Sequence, residues 1–225
     1  MTSDASTITT EKREWVWAYR EQVKLLDDFD AEGLHCAEND WGIASWKRFR
    51  RTYGLMQGKH ATLGKKSEEV LAVVDPIFRP PLTTSDKVEE LTQRWDKGIE
   101  ELGKFVPPRK DGSASELRSM ASKLLWFYQP HDMTMFDDFA FRAIRGLPGL
   151  KKLKAGDYLV AFEKVFASTA AEIVGASHFS DRKYPYPRRV LDKWLWLNGN
   201  KEKPEYMRRF ELSLARAPLF SEDTR

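Results

Sequence analysis

The stretch "ASKLLWFYQPHDMTMFDDFAF", Ala121 to Phe141, decides how this chain is read. A helix that carries a lysine runs into Pro130, an apolar run from Met133 to Phe136 follows, and two aspartates open a second helix. Pro130 has no amide hydrogen to continue the ladder, so the first helix ends at or just before it. Asp137 stands where the second helix begins, the position at which a side-chain oxygen accepts from free backbone amides. On the first helix Leu117, Met120, Ala121, Leu124 and Tyr128 recur at helical spacing and predict the buried stripe. Lys123 lies at the margin of that stripe, beside Ser119 and Phe127 on the helical surface.

The same period runs through the rest of the chain. From Glu11 to about Phe29, after Thr9 or Thr10 as a cap, it places Trp15, Ala18, Gln22, Leu25, Leu26 and Phe29 near one stripe. Asp40 can cap "WGIASWKRFRRTYGLM". Ser67 begins "SEEVLAVV", which is expected to stop at Asp75–Pro76, before a connector stiffened by Pro80 and Pro81. Ser85 starts a helix with Val88, Leu91, Trp95, Ile99 and Leu102 at helical spacing, and "VPPRKDGSAS" then reads as a flexible loop. Asp157 caps one long helix, "YLVAFEKVFASTAAEIVGA". Two more follow prolines suited to a first turn, "YPYPRRVLDKWLWLNG" and "KPEYMRRFELSLARA". No segment alternates as a strand does, and only "MTMF" reads as a short extended piece. The expectation is an all-α protein of about nine helices. Residues 1–10 form a polar leader and residues 11–225 one helical domain, with an N-terminal lobe over about 11–106 and a core over about 113–217.

Composition bounds what this domain does. A chain of 225 residues with 12% aromatics, eight of them Trp, is long enough to bury a substantial core. With 32% charged residues and no apolar run of membrane-span length, it reads as soluble and is not expected to meet a membrane. The single cysteine, Cys36, excludes an internal disulfide and makes a reducing, cytoplasmic setting the default. His35, His60, His131 and His178 are scattered without zinc spacing, so neither a metal nor a cofactor is expected. The net charge of +3 is too small to argue for a nucleic-acid partner, but its distribution is uneven. Basic side chains gather in "WKRFRR", in Arg142 to Lys154 and in Arg182 to Lys193, and such clusters can neutralise phosphates even when the total is nearly balanced.

Lys123 and Asp137 each have two readings. Lys123 is either a lysine whose stem covers the edge of the core or an amine held partly out of water. Desolvation lowers a lysine pKa and produces the neutral nucleophile that Schiff-base chemistry needs. Asp137 and Asp138 are either caps alone or caps that also present a carboxylate able to stabilise a developing cation. Periodicity favours the plain reading in both cases.

Three pieces, "SKLLWFYQP", "MTMFDDFAF" and "RRVLDKWLWLNG", are similar in kind and order to the core of helix-hairpin-helix DNA glycosylases. More closely, they resemble compact bacterial proteins with an 8-oxoguanine DNA glycosylase fold. The resemblance covers roughly Ser115 to Gly199. It implies that Lys123 is the Schiff-base lysine and Asp137 the catalytic aspartate. It also implies that an oxidised purine is flipped from duplex DNA into a pocket to which Trp126, Phe127, Phe136 and Phe139 contribute, although aromatics on helices are more often plain core. Arg142, Arg145, Lys151, Lys152, Arg188 and Arg189 are then the expected phosphate contacts, and a bacterial antiphage setting goes with the compact proteins. One departure stands out. The family places a Gly-rich hairpin ahead of the lysine to grip a phosphate, whereas "SELRSMASK" has no glycine. The competing reading is therefore a non-catalytic module that binds a nucleotide or a protein partner on the same scaffold. A helical adaptor with no small-molecule site is the third.

Overall fold

Residues 9–30, 63, 65–106, 115–180 and 182–216 are described by a computed structural model, and their regular structure is entirely helical. The nine α-helices among these residues are α1 (Thr10–Asp30), α2 (Ser67–Phe78), α3 (Lys87–Gly103), α4 (Ser115–Tyr128), α5 (Asp138–Gly146), α6 (Tyr158–Ser168), α7 (Ala170–Ser177), α8 (Pro187–Gly199) and α9 (Lys203–Arg216). The expected helix after Asp40, the "WKRFRR" cluster, Cys36, His35, His60, most of the polar leader and residues 107–114 of the expected loop lie outside the described residues.

Local chemistry sets several helix starts, while Lys66, Asp157 and Thr169 head α2, α6 and α7 with no side-chain cap bond, so the cap expected of Asp157 is not made. The Thr9 hydroxyl oxygen accepts from Lys12 N at 3.3 Å ahead of α1. For α3 the cap is Asp86, one residue beyond the expected Ser85, and its carboxylate accepts from Glu89 N at 3.0 Å. Pro187 occupies the first turn of α8.

Two expected boundaries are corrected. Helix α2 runs through Pro76 to Phe78 instead of stopping at it. The last turn survives the lost amide because Phe78 is fully buried and Asp75 is held from two sides. The Arg79 guanidinium makes paired contacts to the Asp75 carboxylate, and the Tyr128 hydroxyl donates to it at 3.0 Å. The long helix expected after Asp157 is broken at Thr169 into α6 and α7. There the Ser168 and Thr169 hydroxyls both donate to Val165 O, at 2.8 and 2.9 Å, and compete with the helical ladder for that carbonyl.

The core has two aromatic centres. Trp95, on α3, is fully buried, donates to Arg118 O at 2.9 Å, and meets Phe136 at 5.6 Å and Tyr158 at 6.4 Å between ring centroids. A second centre joins α1 to α8. Trp15 stacks flat on Trp194 at 4.6 Å, and Trp17 faces Trp196 at 6.5 Å. Each fully buried side chain of this size contributes about 1.5–3 kcal/mol. Helix α1 packs on α7 and α8, and α3 packs on α4. The expected N-terminal lobe and the expected core thus share one apolar cluster, because these indoles bring α1 onto the C-terminal helices.

Among the described helices α5 and α8 share the most extensive contact. Gly199, at the end of α8, lies against the backbone of Phe139: a Cβ there would fall 2.6 Å from the Phe139 carbonyl carbon. Between α5 and α6 the chain turns at Leu147–Leu150, with Leu150 N donating to Leu147 O at 3.2 Å. Gly149 takes φ +81 in this turn, a value an L side chain rarely adopts, and Pro148 precedes it as in a type II turn.

Candidate active site

Lys123 and Asp137 are separated by fourteen positions, and so are Ser122 and Phe136 just before them. The second pair is bonded. The Ser122 hydroxyl accepts from Phe136 N at 2.7 Å and donates to Ser119 O at 2.9 Å. This buried link ties α4 to the non-helical segment Met133–Asp137 one residue short of each candidate group. Upstream, Gln129 fixes the end of α4 by donating to Phe78 O and Pro80 O, each at 3.0 Å. Asp137 follows in extended conformation, φ −140 and ψ 143, and its carboxylate accepts from Phe139 N at 2.7 Å. The expected cap is therefore in place at the head of α5. Ser122→Ala leaves the Phe136 amide buried without an acceptor, and we expect it to lower unfolding stability by about 2 kcal/mol in urea. A loss below about 0.5 kcal/mol would show that the segment is held by other means.

The Lys123 amine is half-buried and has no hydrogen bond or ion pair among the described residues. Burial lowers its pKa, the Asp137 carboxylate pulls it back up, and Arg189 lowers it further. The two candidate groups thus lie within electrostatic reach of one another. Tyr158 closes the interior side. It is fully buried and donates to Met135 O at 3.3 Å, and burial followed by the Asp137 charge pushes its hydroxyl far above the ordinary tyrosine range, so it stays neutral.

Helix α8 completes the cluster with residues that the sequence placed on a basic surface or left unremarked. Arg189 and Asp192 form a buried ion pair one turn apart, and the Arg189 guanidinium lies 5.6 Å from the centre of the Trp126 ring. Lys193 is half-buried, with its amine 4.2 Å from the Trp196 ring centre and 5.2 Å from that of Trp17. Its pKa falls to about 8, first through burial and then through Arg189, against the opposing pull of Glu21 and Asp137. The one sequence signal for Lys193 is its place beside two tryptophans in "DKWLW".

The other expected site residues divide. Trp126, Phe127 and Phe136 are at most 3% exposed and are core, packed from α4 and the link beneath the cluster. Phe139 is half-buried, edge-on to Trp196 at 5.8 Å and under the Arg142 guanidinium at 4.7 Å. Arg142, Arg145, Lys151 and Lys152 lie on α5 and the turn after it, and all four are exposed. Arg188 and Arg189 do not extend that surface. Arg188 makes two 2.9 Å bonds to the Glu163 carboxylate and donates to His131 O at 2.7 Å, while Arg189 points into the interior. Their positions on α8 face the packed side of the helix, which a count of basic residues does not register.

A separate open cavity of about 360 Å³ lies between α1 and α7, lined by Thr9, Lys12, Trp15, Ala171, Glu172 and Gly175, and includes none of the cluster. Among the described residues no group of three or more His, Cys, Asp or Glu is arranged to hold a metal ion, and no helix is long and apolar enough to cross a membrane. No family model matches the chain, and no curated protein or solved structure matches it. What fold and site define together is a class: a protein whose described residues are helical in all their regular structure, with a partly desolvated lysine within electrostatic reach of a helix-capping carboxylate.

Proposed function

We propose that the protein is a DNA glycosylase that uses Lys123 as its nucleophile to release an oxidised purine of the 8-oxoguanine type. The observation that carries this reading is an unpaired, half-buried lysine amine under the charge of Asp137. Burial shifts the amine toward its neutral form, and a neutral amine attacks C1′ of the sugar as the C1′–N9 bond breaks and the base departs with the electron pair. Opening of the C1′–O4′ bond with loss of the amine proton then gives the imine. Asp137 stabilises the positive charge that develops on the sugar before the new bond is complete. Arg142, Arg145, Lys151 and Lys152 sit on the helix that Asp137 caps and on the turn after it, and they supply phosphate contacts to duplex DNA.

The second reading, a binding module without catalysis, draws on two observations. The aromatic side chains nearest Lys123 are already packed against protein. The residues directly ahead of it, from Ser115, continue as helix and form no hairpin. Incubation with duplex DNA carrying 8-oxoguanine or an abasic site, followed by borohydride, separates the two. The glycosylase forms a covalent protein–DNA adduct. Binding that weakens steeply with salt but gives no adduct across a lesion panel favours the module. Neither adduct nor binding removes DNA from both readings and leaves the adaptor.

A further inference from the structure

We infer that Lys193 is a second working amine of this site, which accepts the C2′ proton of a sugar held on Lys123 so that the strand is cut by β-elimination. The inference rests on the reading of Lys123 as nucleophile. Once Lys123 is bonded to C1′ as an iminium it has no lone pair to offer, and the acidified C2′ proton needs another neutral base.

Lys193 is built for that state. Its amine sits against Trp196 and Trp17, whose rings are within 14° of parallel. Among the described residues no carboxylate or carbonyl accepts a hydrogen bond from it. Lys203, on α9, is by contrast engaged by Glu14 and by Asn198. The charged groups that face Lys193 are Arg189 on its own helix, Glu21 from α1 and Asp137 at the head of α5. Glu21 is taken up by Lys24 at 2.7 Å. Glu21 acts on Lys193 alone, whereas Asp137, whose cap bond holds Phe139 edge-on to the Trp196 ring beside Lys193, acts on both amines. With a pKa of about 8, Lys193 is divided between its two protonation states at the pH of a cellular reaction, the condition in which a base works best. After the transfer, the flanking indoles hold the ammonium by their ring faces. The step balances: the C2′–H electrons become the C2′–C3′ double bond, and the C3′–O bond breaks with its electrons on the departing phosphate.

The test uses the full chain and duplex DNA with a preformed abasic site. Trapped adduct and cleaved strand are measured in parallel from roughly pH 6 to 9, the range that brackets such a base. Lys193→Arg keeps a cation over the indoles but does not release its proton. The ratio of cleaved to trapped product is expected to fall about tenfold or more in this variant, with loss of the rise in cleavage through about pH 8. Lys193→Met is expected to do the same. Overturning results are a wild-type ratio and pH profile in Lys193→Arg, cleavage lost in Lys193→Met but kept in Lys193→Arg, or a wild-type protein that is trapped yet never cuts. A wild-type protein that forms no adduct fails at the earlier step, and it removes Lys123 as nucleophile and this inference together.

Discussion

Lys123→Met is expected to abolish the borohydride-trapped adduct, and Asp137→Asn to slow base release about a hundredfold or more. Methionine keeps the volume of the lysine stem and removes an amine that has no partner among the described residues, so folding should be preserved while the covalent step is lost. An adduct that survives this substitution would place the nucleophile elsewhere. Asparagine caps a helix about as well as aspartate, and the bond from Phe139 N can be kept. The stability cost of Asp137→Asn should therefore stay below about 1 kcal/mol, and what is removed is charge. The sign of the pH effect follows from the direction in which that charge acts. Asp137 raises the proton affinity of Lys123, so its loss lowers the lysine pKa beyond what burial has already done. Adduct formation needs the neutral amine and rises with pH toward that pKa. In Asp137→Asn the rising limb should move to lower pH while the plateau rate drops. A limb that stays in place, or moves upward, would mean that the carboxylate does not act on this amine.

The second large effect is on the fold that sets the site. Gly199→Ala is expected to cost about 3 kcal/mol and to lower the melting temperature by roughly 10 °C, both at the high end for a single added methyl group in a chain of this size. The added Cβ meets the backbone of Phe139 and not the end of a flexible side chain, with the carbonyl carbon only 2.6 Å away. Relief requires α5 and α8 to separate, and these helices carry Asp137 at one head and Arg189, Asp192 and Lys193 along the other. The variant should therefore lose catalytic competence even at temperatures where it remains folded. Gly146 serves as control, since a Cβ there meets nothing within 4 Å, and Gly146→Ala should be close to neutral. Equal stability of the two variants would show that α5 and α8 are less closely packed than described.

Helical spacing and end signals made much of this legible. Leu117, Met120, Ala121, Leu124 and Tyr128 were readable as a stripe and are all buried, and Asp137 was readable as a cap and is one. Pro76 misled because a proline's local cost was outweighed by contacts from Arg79 and Tyr128, one of them more than fifty positions away. The break at Thr169 was missed because an apolar period continues across it, while two hydroxyls divert one carbonyl. At the site, Lys123 could be found from its neighbours. Lys193 could not, because in sequence it is one more cation in a basic run.

By itself, then, the sequence determined the helical class, most of the points where helices start, and the inward face of α1, α3 and α4. These follow from a 3.6-residue period and from side chains that satisfy amides a few positions away. Only the tertiary structure decided which charges are held out of water. The charge that acts on Lys123, the desolvation of Lys193 and the inward turn of Arg188 and Arg189 depend on what other parts of the fold bring to them: Asp137 and Trp17 for the lysines, Glu163 and Trp126 for the arginines. One-dimensional periodicity identifies the face of a helix but not the partner that covers it, and the partner sets the electrostatics.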